Sequence, residues 1–279
     1  MVQPEARAGT LRGADRTGIG RIAGTMLIVG HRGSSHRYPE NTMLAFERAV
    51  KEGAHGIETD VRKTADGVHV LIHDARVDRT TNGTGAVSTL TWDEIAALDA
   101  GAWKGRGFAN REDTRVPRLD AFLDYYRGEP VFLFLQMKLG LTDALAVVDM
   151  VTHRDMQDQC FIFTDRSRLA GIKAHVPDVM VVNDGMNHDP WDLLAQARAE
   201  GWDAISPGWT HVTPKLVEEA NAAGMYVMAS FVSGDYEANT RALIKSGCNM
   251  ILGNDCASMV SVADRHGVRQ VVPPLAVLR

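Results

Sequence analysis

Eight short runs of β-forming residues recur from Met26 onward, each separated from the next by a stretch with helical character. The runs are "LIVG" (27–30), "GIETDV" (56–61), "VFLFLQM" (131–137), "CFIF" (160–163), "VMVV" (179–182), "DAIS" (203–206), "YVMASF" (226–231) and "MILG" (250–253). Helices are expected over 41–51, 121–127, 142–153, 166–175, 190–200, 214–223 and 235–246, several opened by Asp, Asn, Thr or Pro at a cap or first-turn position. Parallel strands need a crossover, and a helix is the usual one, so regular alternation selects a parallel sheet. Eight strand–helix units predict a (β/α)8 TIM barrel; a doubly wound open sheet is the second arrangement that the same alternation allows.

A chain of 279 residues suits one such barrel, placed here at 26–266. Residues 1–25 precede the periodic part and are expected to form a mobile N-terminal extension. Residues 267–279, "GVRQVVPPLAVLR", form an apolar tail that would pack on the barrel or on a second subunit, the latter making a homo-oligomer. Charged residues are 23% of the chain and the formal net charge is −5, which gives no electrostatic reason to expect nucleic acid or an anionic membrane. The expected partner is a small molecule. Cys160, Cys248 and Cys256 are odd in number and lack a Cys-x-x-Cys pair, so they are expected to be reduced and buried rather than bridged or zinc-bound. No apolar run reaches the roughly 18 residues of a membrane span, and the first 25 residues lack the apolar segment of a secretory signal. A cytoplasmic location is the expectation.

The alternation breaks between the second and third runs. There "GVHVLIHD", after the turn "ADG", reads as a hairpin arm and leads into a long irregular segment. Long loops in compact domains are usually functional, and in a barrel this one belongs to the C-terminal face, where such folds keep their sites.

Polar clusters stand at the ends of the first three runs. His31 and Arg32 follow the first. Glu58 and Asp60 share one face of the second, since strand residues alternate sides, and His73 and Asp74 follow in the hairpin arm. The third run, apolar until its end, finishes in Gln136 and Lys138, again on one face. Two carboxylates held together call for a cation, and oxygen ligands suit Mg²⁺ or Ca²⁺. Arg32 offers a planar fork of donors for a phosphate and Lys138 a point charge for the same group. Two histidines that titrate near neutrality can share acid and base duties. These are the parts of a metal-assisted phosphoryl transfer site. The other eight histidines read as surface or core residues.

The order and spacing of "HRG…PENT", "GIETDVRKTADGVHVLIHD", "DRTTNGTG", "VPRLDAFL" and the lysine of "LQMK" resemble the glycerophosphodiester phosphodiesterase family, with fainter similarity continuing to about residue 256. That resemblance implies a TIM barrel, a divalent cation and hydrolysis of a glycerophosphodiester to sn-glycerol 3-phosphate and an alcohol. It implies His31 and His73 as the acid/base pair, Glu58 and Asp60 as metal ligands, and Arg32 and Lys138 as the phosphate clamp. By the same analogy the substrate's 2-hydroxyl attacks phosphorus and water opens the resulting cyclic phosphate. The chain departs from the family on the third strand, where Glu-x-Lys becomes Gln136-x-Lys138, so that the third metal ligand would be an amide. It departs again near Phe231, where "SFVSGD" replaces a Trp-Thr pair. A lyase that stops at the cyclic phosphate, as sphingomyelinase D-type enzymes do, is an alternative reading. A phosphodiester-binding homologue without turnover is another.

Overall fold

The computed structural model describes residues 25–270. The chain runs β1 (Thr25–His31), α1 (Met43–Lys51), β2 (Gly56–Lys63), β3 (His69–Leu71), α2 (Trp92–Ala96), α3 (Leu119–Tyr126), β4 (Phe132–Met137), α4 (Leu141–Thr152), β5 (Cys160–Thr164) and α5 (Arg166–His175). It continues through β6 (Met180–Gly185), α6 (Pro190–Glu200), β7 (Ala204–Pro207), α7 (Pro214–Ala222), β8 (Tyr226–Phe231), α8 (Tyr236–Ser246), β9 (Met250–Gly253), α9 (Cys256–Arg265) and β10 (Arg269–Gln270). The expected extension and most of the expected tail fall on residues 1–24 and 271–279, outside the described residues.

Strands β1, β2, β4, β5, β6, β7, β8 and β9 are hydrogen-bonded in that order, all parallel, and β1 pairs with both β2 and β9. That double pairing closes the ring, so the fold is the (β/α)8 barrel and not the open sheet. Two strands lie outside the ring: β3, antiparallel on the far end of β2, and β10, beside the start of β1. Side chains seal the helix starts as the cap residues suggested. Thr42, Asp165, Asp189, Thr213, Asp235 and Asp255 each accept a hydrogen bond from a first-turn N–H. The helices α2 and α9 and the strand β10 were not anticipated, and β6 runs three residues past the "VMVV" run.

Alternation along the strands sorts their side chains into two cores. Leu27, Val29, Phe132, Phe134, Phe161, Phe163, Met180, Val182, Met228, Met250 and Leu252 form one cluster inside the ring. The opposite faces of the same strands pack with helix residues such as Phe46, Phe122, Val147, Leu169 and Leu216. Inside, the Phe134 and Phe161 rings stack at 4.6 Å with an interplanar angle of 2°. Fully burying such a ring contributes about 2–3 kcal/mol, and the stacking about 0.5–1.5 kcal/mol more. Gly56 makes room for this pair, because a Cβ there would stand 2.9 Å from the Phe134 ring and 3.1 Å from Val29. The aromatic layer is the floor beneath the polar ends of the strands.

The segment between β3 and α3 has a small core of its own, Val70, Ile72, Val77, Val87, Ile95, Ala100 and Val116. It is a packed insertion rather than a loose loop. The three cysteines are free and buried, as expected. Among the described residues, no helix is long and apolar enough to cross a membrane.

Candidate active site

The inward faces of β1, β2, β4, β6 and β9 turn polar at their C-terminal ends, above the aromatic floor. At the end of β1, Arg32 (φ 56°) and Gly33 (φ 80°) both adopt left-handed backbone. For a non-glycine residue that costs about 1–2 kcal/mol. The strain has a local return, since it turns the Arg32 N–H onto Glu58 Oε2 at 2.9 Å. Position 33 requires glycine, because a Cβ there would lie 2.5 Å from the Ala45 carbonyl carbon.

Glu58 and Asp60 are fully buried, and Glu58 Oε1 and Asp60 Oδ1 lack a hydrogen-bond partner. Burial, and then the charge of Asp60, push the Glu58 carboxyl well above the usual carboxylate range. Asp60 is better compensated. Asn41 Nδ2 donates to its Oδ2 at 3.0 Å, Arg32 Nε lies 3.2 Å from Oδ2, and Lys138 Nζ lies 3.5 Å from Oδ1. Arg32 also grips Glu40 through Nη1 at 2.8 Å, and Glu40 accepts two bonds from Arg79 at 2.7 and 2.9 Å. Against the opposing effect of burial, those Arg79 bonds and the Arg32 charge hold Glu40 at about 2.

His31 Nδ1 lies 2.6 Å from Asn254 Oδ1, while Asn254 Nδ2 donates to the Val232 carbonyl at 2.9 Å. A carbonyl accepts only, so the amide nitrogen must face Val232 and the amide oxygen must face the ring. The ring therefore donates from Nδ1, and in the neutral imidazole Nε2 carries the lone pair, 3.9 Å from Glu58 Oε2. Burial, with the Arg32 charge behind it, lowers His31 to about 4. His31 is thus held neutral at physiological pH.

His73 comes from the insertion. Its Nδ1 bonds to Asp74 Oδ1 at 2.7 Å, and its carbonyl accepts from Arg62 Nε at 2.8 Å. Arg62 is therefore occupied by His73, and Lys63 by Asp143 at 2.5 Å, which leaves the Glu58–Asp60 pair to other cations. Asp74 accepts from Arg79 Nε at 2.6 Å, and this bond, with that from His73, keeps its carboxyl far below the usual range. A continuous chain of ion pairs, Asp74–Arg79–Glu40–Arg32–Asp60, thus ties the insertion to β2. Lys138, directly after β4, donates its N–H to the Val61 carbonyl of β2 at 3.1 Å. Gln136 stands beside Asp60 in register, and its Nε2 donates to Asp184 Oδ2 at 3.0 Å.

Direct contacts join His31, Arg32, Glu58, Asp60 and Lys138, and the ion-pair chain connects His73 to them. Gln136 is held by Asp184. Sequence reasoning missed Glu40, Asn41, Arg79, Asn254 and Asp184. Asn254 follows "MILG" directly, and counting two onward from inward Leu252 would have reached it. The same count from Val182 reaches Asp184. Among the described residues, no group of three or more His, Cys, Asp or Glu side chains is gathered as a metal cage. What the mouth offers instead is two buried carboxylates, Glu58 with an oxygen that has no hydrogen-bond partner and Asp60 with one that meets only Lys138 at 3.5 Å. This set suits a hard cation that keeps much of its water, as Mg²⁺ does on one or two protein carboxylates.

The glycerophosphoryl diester phosphodiesterase family model matches residues 31–256. A glycerophosphodiester phosphodiesterase of Caldanaerobacter subterraneus is 29% identical over 251 residues, covering 86% of this chain and 99% of that protein. The crystal structure of glycerophosphodiester phosphodiesterase from Agrobacterium tumefaciens is 31% identical with a TM-score of 0.75, covering 85% of this chain and 100% of that one. An Oleispira antarctica phosphodiesterase, solved in complex with the product sn-glycerol-3-phosphate, shares the fold at 24% identity and a TM-score of 0.75, over 86% of this chain and 97% of that one. With the match running from the end of β1 to the start of α9 and taking in every strand-end cluster of the mouth, the chain belongs to the glycerophosphoryl diester phosphodiesterase family of enzymes.

Proposed function

We propose that the chain hydrolyses a glycerophosphodiester to sn-glycerol 3-phosphate and an alcohol, using a divalent cation held by Glu58 and Asp60 and acid/base catalysis by His31 and His73. The observation that carries this reading is the pair of fully buried carboxylates, with Glu58 Oε1 free of any hydrogen bond, set among His31, Arg32 and Lys138 at the barrel mouth. Burying two such anions side by side costs several kcal/mol each unless a cation compensates. Support also comes from family membership and from the Oleispira antarctica relative, similar in fold, with its bound sn-glycerol-3-phosphate.

In this reading His31, neutral and with its Nε2 lone pair near Glu58, takes the proton of the substrate's 2-hydroxyl as that oxygen attacks phosphorus and the alcohol leaves, and water then opens the cyclic phosphate to sn-glycerol 3-phosphate. His73, oriented by Asp74, delivers a proton to the leaving oxygen. Arg32 and Lys138 already sit against Asp60 and need only share their charge with an incoming phosphate. Bound Mg²⁺ or Ca²⁺ would polarise the phosphoryl oxygen and lower the pKa of the attacking hydroxyl. Asn41 and Glu40 keep Asp60 and Arg32 in place between turnovers.

The test is to strip the protein of metal and incubate it with a panel of glycerophosphodiesters, with and without Mg²⁺ or Ca²⁺, following products by ³¹P NMR. Release of sn-glycerol 3-phosphate with either ion is the expected result. Accumulation of a cyclic phosphate would move the chain to the lyase reading, and no turnover of any diester would refute both.

A further inference from the structure

Asp184 takes no part in the reaction as set out above, yet its position is specific. Met180 and Val182 of β6 belong to the cluster inside the barrel, so Asp184, two residues onward, tops the same inward column. Strand β5 lies between β6 and β4 and contributes only Phe161 and Phe163 to that interior. Gln136 therefore reaches across β5 to Asp184, with Nε2 3.0 Å from Oδ2.

The chemistry of this bond fixes the amide. A carboxylate only accepts hydrogen bonds, so the NH₂ group must be the end that faces Asp184. The carbonyl Oε1 is then the end of the amide that Asp184 does not hold, and Asp60 of β2 is the register partner of Gln136. Glu58 and Asp60, on β2, are fully buried; Glu58 Oε1 has no hydrogen-bond partner and Asp60 Oδ1 meets only Lys138 Nζ, at 3.5 Å, so this pair has coordination capacity to spare for a cation. A free glutamine would present either end of its amide to a cation. One held by a carboxylate presents only oxygen.

We infer that Asp184 is a positioning residue for the cation site: it locks the Gln136 carbonyl toward the Glu58–Asp60 pair and returns to the mouth the negative charge that an amide at position 136 lacks. The inference rests on the cation reading above and adds a residue to it. Loss of a group that orients a ligand commonly costs about 10–100-fold in metal affinity. A second consequence concerns Gln136→Glu alone. It would set a carboxylate against Asp184 at hydrogen-bond distance, and like charges at that range oppose each other. That variant should gain little, whereas Gln136→Glu with Asp184→Asn restores a donor–acceptor pair of unchanged total charge with the carboxylate now on the cation side.

Calorimetric titration of Mg²⁺ and of Ca²⁺ into the metal-free wild type, Asp184→Asn, Gln136→Glu and the double variant tests this, with thermal melting in EDTA to report folding. The expected pattern is a loss of about 10–100-fold for Asp184→Asn, little gain for Gln136→Glu, and wild-type or tighter binding for the double variant. Folded Asp184→Asn that binds both ions as tightly as wild type would overturn the inference and leave the cation reading standing. A wild type that binds neither ion would overturn both. Should Asp184→Asn fail to fold, the double variant is compared with wild type in its place, and weaker binding there overturns the inference.

Discussion

The most exposed step of the mechanism is the basicity of His31, and Asn254→Asp probes it directly. In the native protein a neutral acceptor, Asn254 Oδ1, lies 2.6 Å from His31 Nδ1, and burial lowers the ring to about 4. Aspartate is nearly isosteric with asparagine but adds a charge at that contact. With charge centres about 4 Å apart and an effective dielectric of about 20, the imidazolium gains about 4 kcal/mol, equivalent to about three pH units. Part of this is lost to burying the new carboxylate, so His31 should rise by about two units, from about 4 to about 6. The assay is the pH profile of kcat/KM, whose acid limb reports the free enzyme's base, together with an NMR titration of the His31 ring. Both should move upward by about two units while the fold and the alkaline limb stay in place. Asn254→Leu is the companion variant: it removes the acceptor, frees the ring tautomer and should lower kcat without that upward shift. An Asn254→Asp enzyme that folds and keeps its acid limb unmoved would show that His31 is not the base, or that Asn254 does not control it.

Other outcomes follow from the same geometry. His31→Ala and His73→Ala should each lower kcat by about 10²-fold or more with melting behaviour near wild type, and near-normal turnover in either would remove that residue from the reaction. Exhaustive chelation should abolish turnover and Mg²⁺ or Ca²⁺ should restore it; full activity in the chelated protein would end the cation reading. Because unfolded His31 titrates at about 6.5 and the folded residue at about 4, the unfolded chain binds more protons between those values. His31's contribution to stability therefore rises with pH across that window and is complete above it. On acidification from pH 7 to 4 this residue should cost about 3 kcal/mol, a loss that denaturant melts of His31→Gln should lack. Gly56→Ala should destabilise by about 1–3 kcal/mol, because the new methyl meets the Phe134 ring at 2.9 Å; a melt unchanged within error would mean that the aromatic floor yields freely.

Periodicity is a local property, and the features of this protein that depend on it could be read from the chain alone. Alternating strand and helix patterns implied parallel strands, and strand parity put Glu58 with Asp60, and Gln136 with Lys138, on one face of each strand. The strand-end clusters at His31, Arg32 and Lys138 were legible for the same reason. Closure of the ring was legible only through the count of eight units, since nothing in β1 or β9 alone says that they pair with each other. Closure brings His31 to Asn254, 223 residues away in sequence, and it is that contact which assigns the His31 tautomer. The insertion's own small core likewise decides that His73 is tied to β2 through Arg79 and Glu40 rather than by a barrel strand. Asp184 escaped notice because β6 was read as ending at Val182, where its apolar run stops. Hydrogen bonds from β5 and β7 carry the strand on to Gly185, lifting a carboxylate into the mouth beside Gln136. A strand ends where its neighbours stop pairing with it, and in a closed barrel those neighbours are chosen by the tertiary fold.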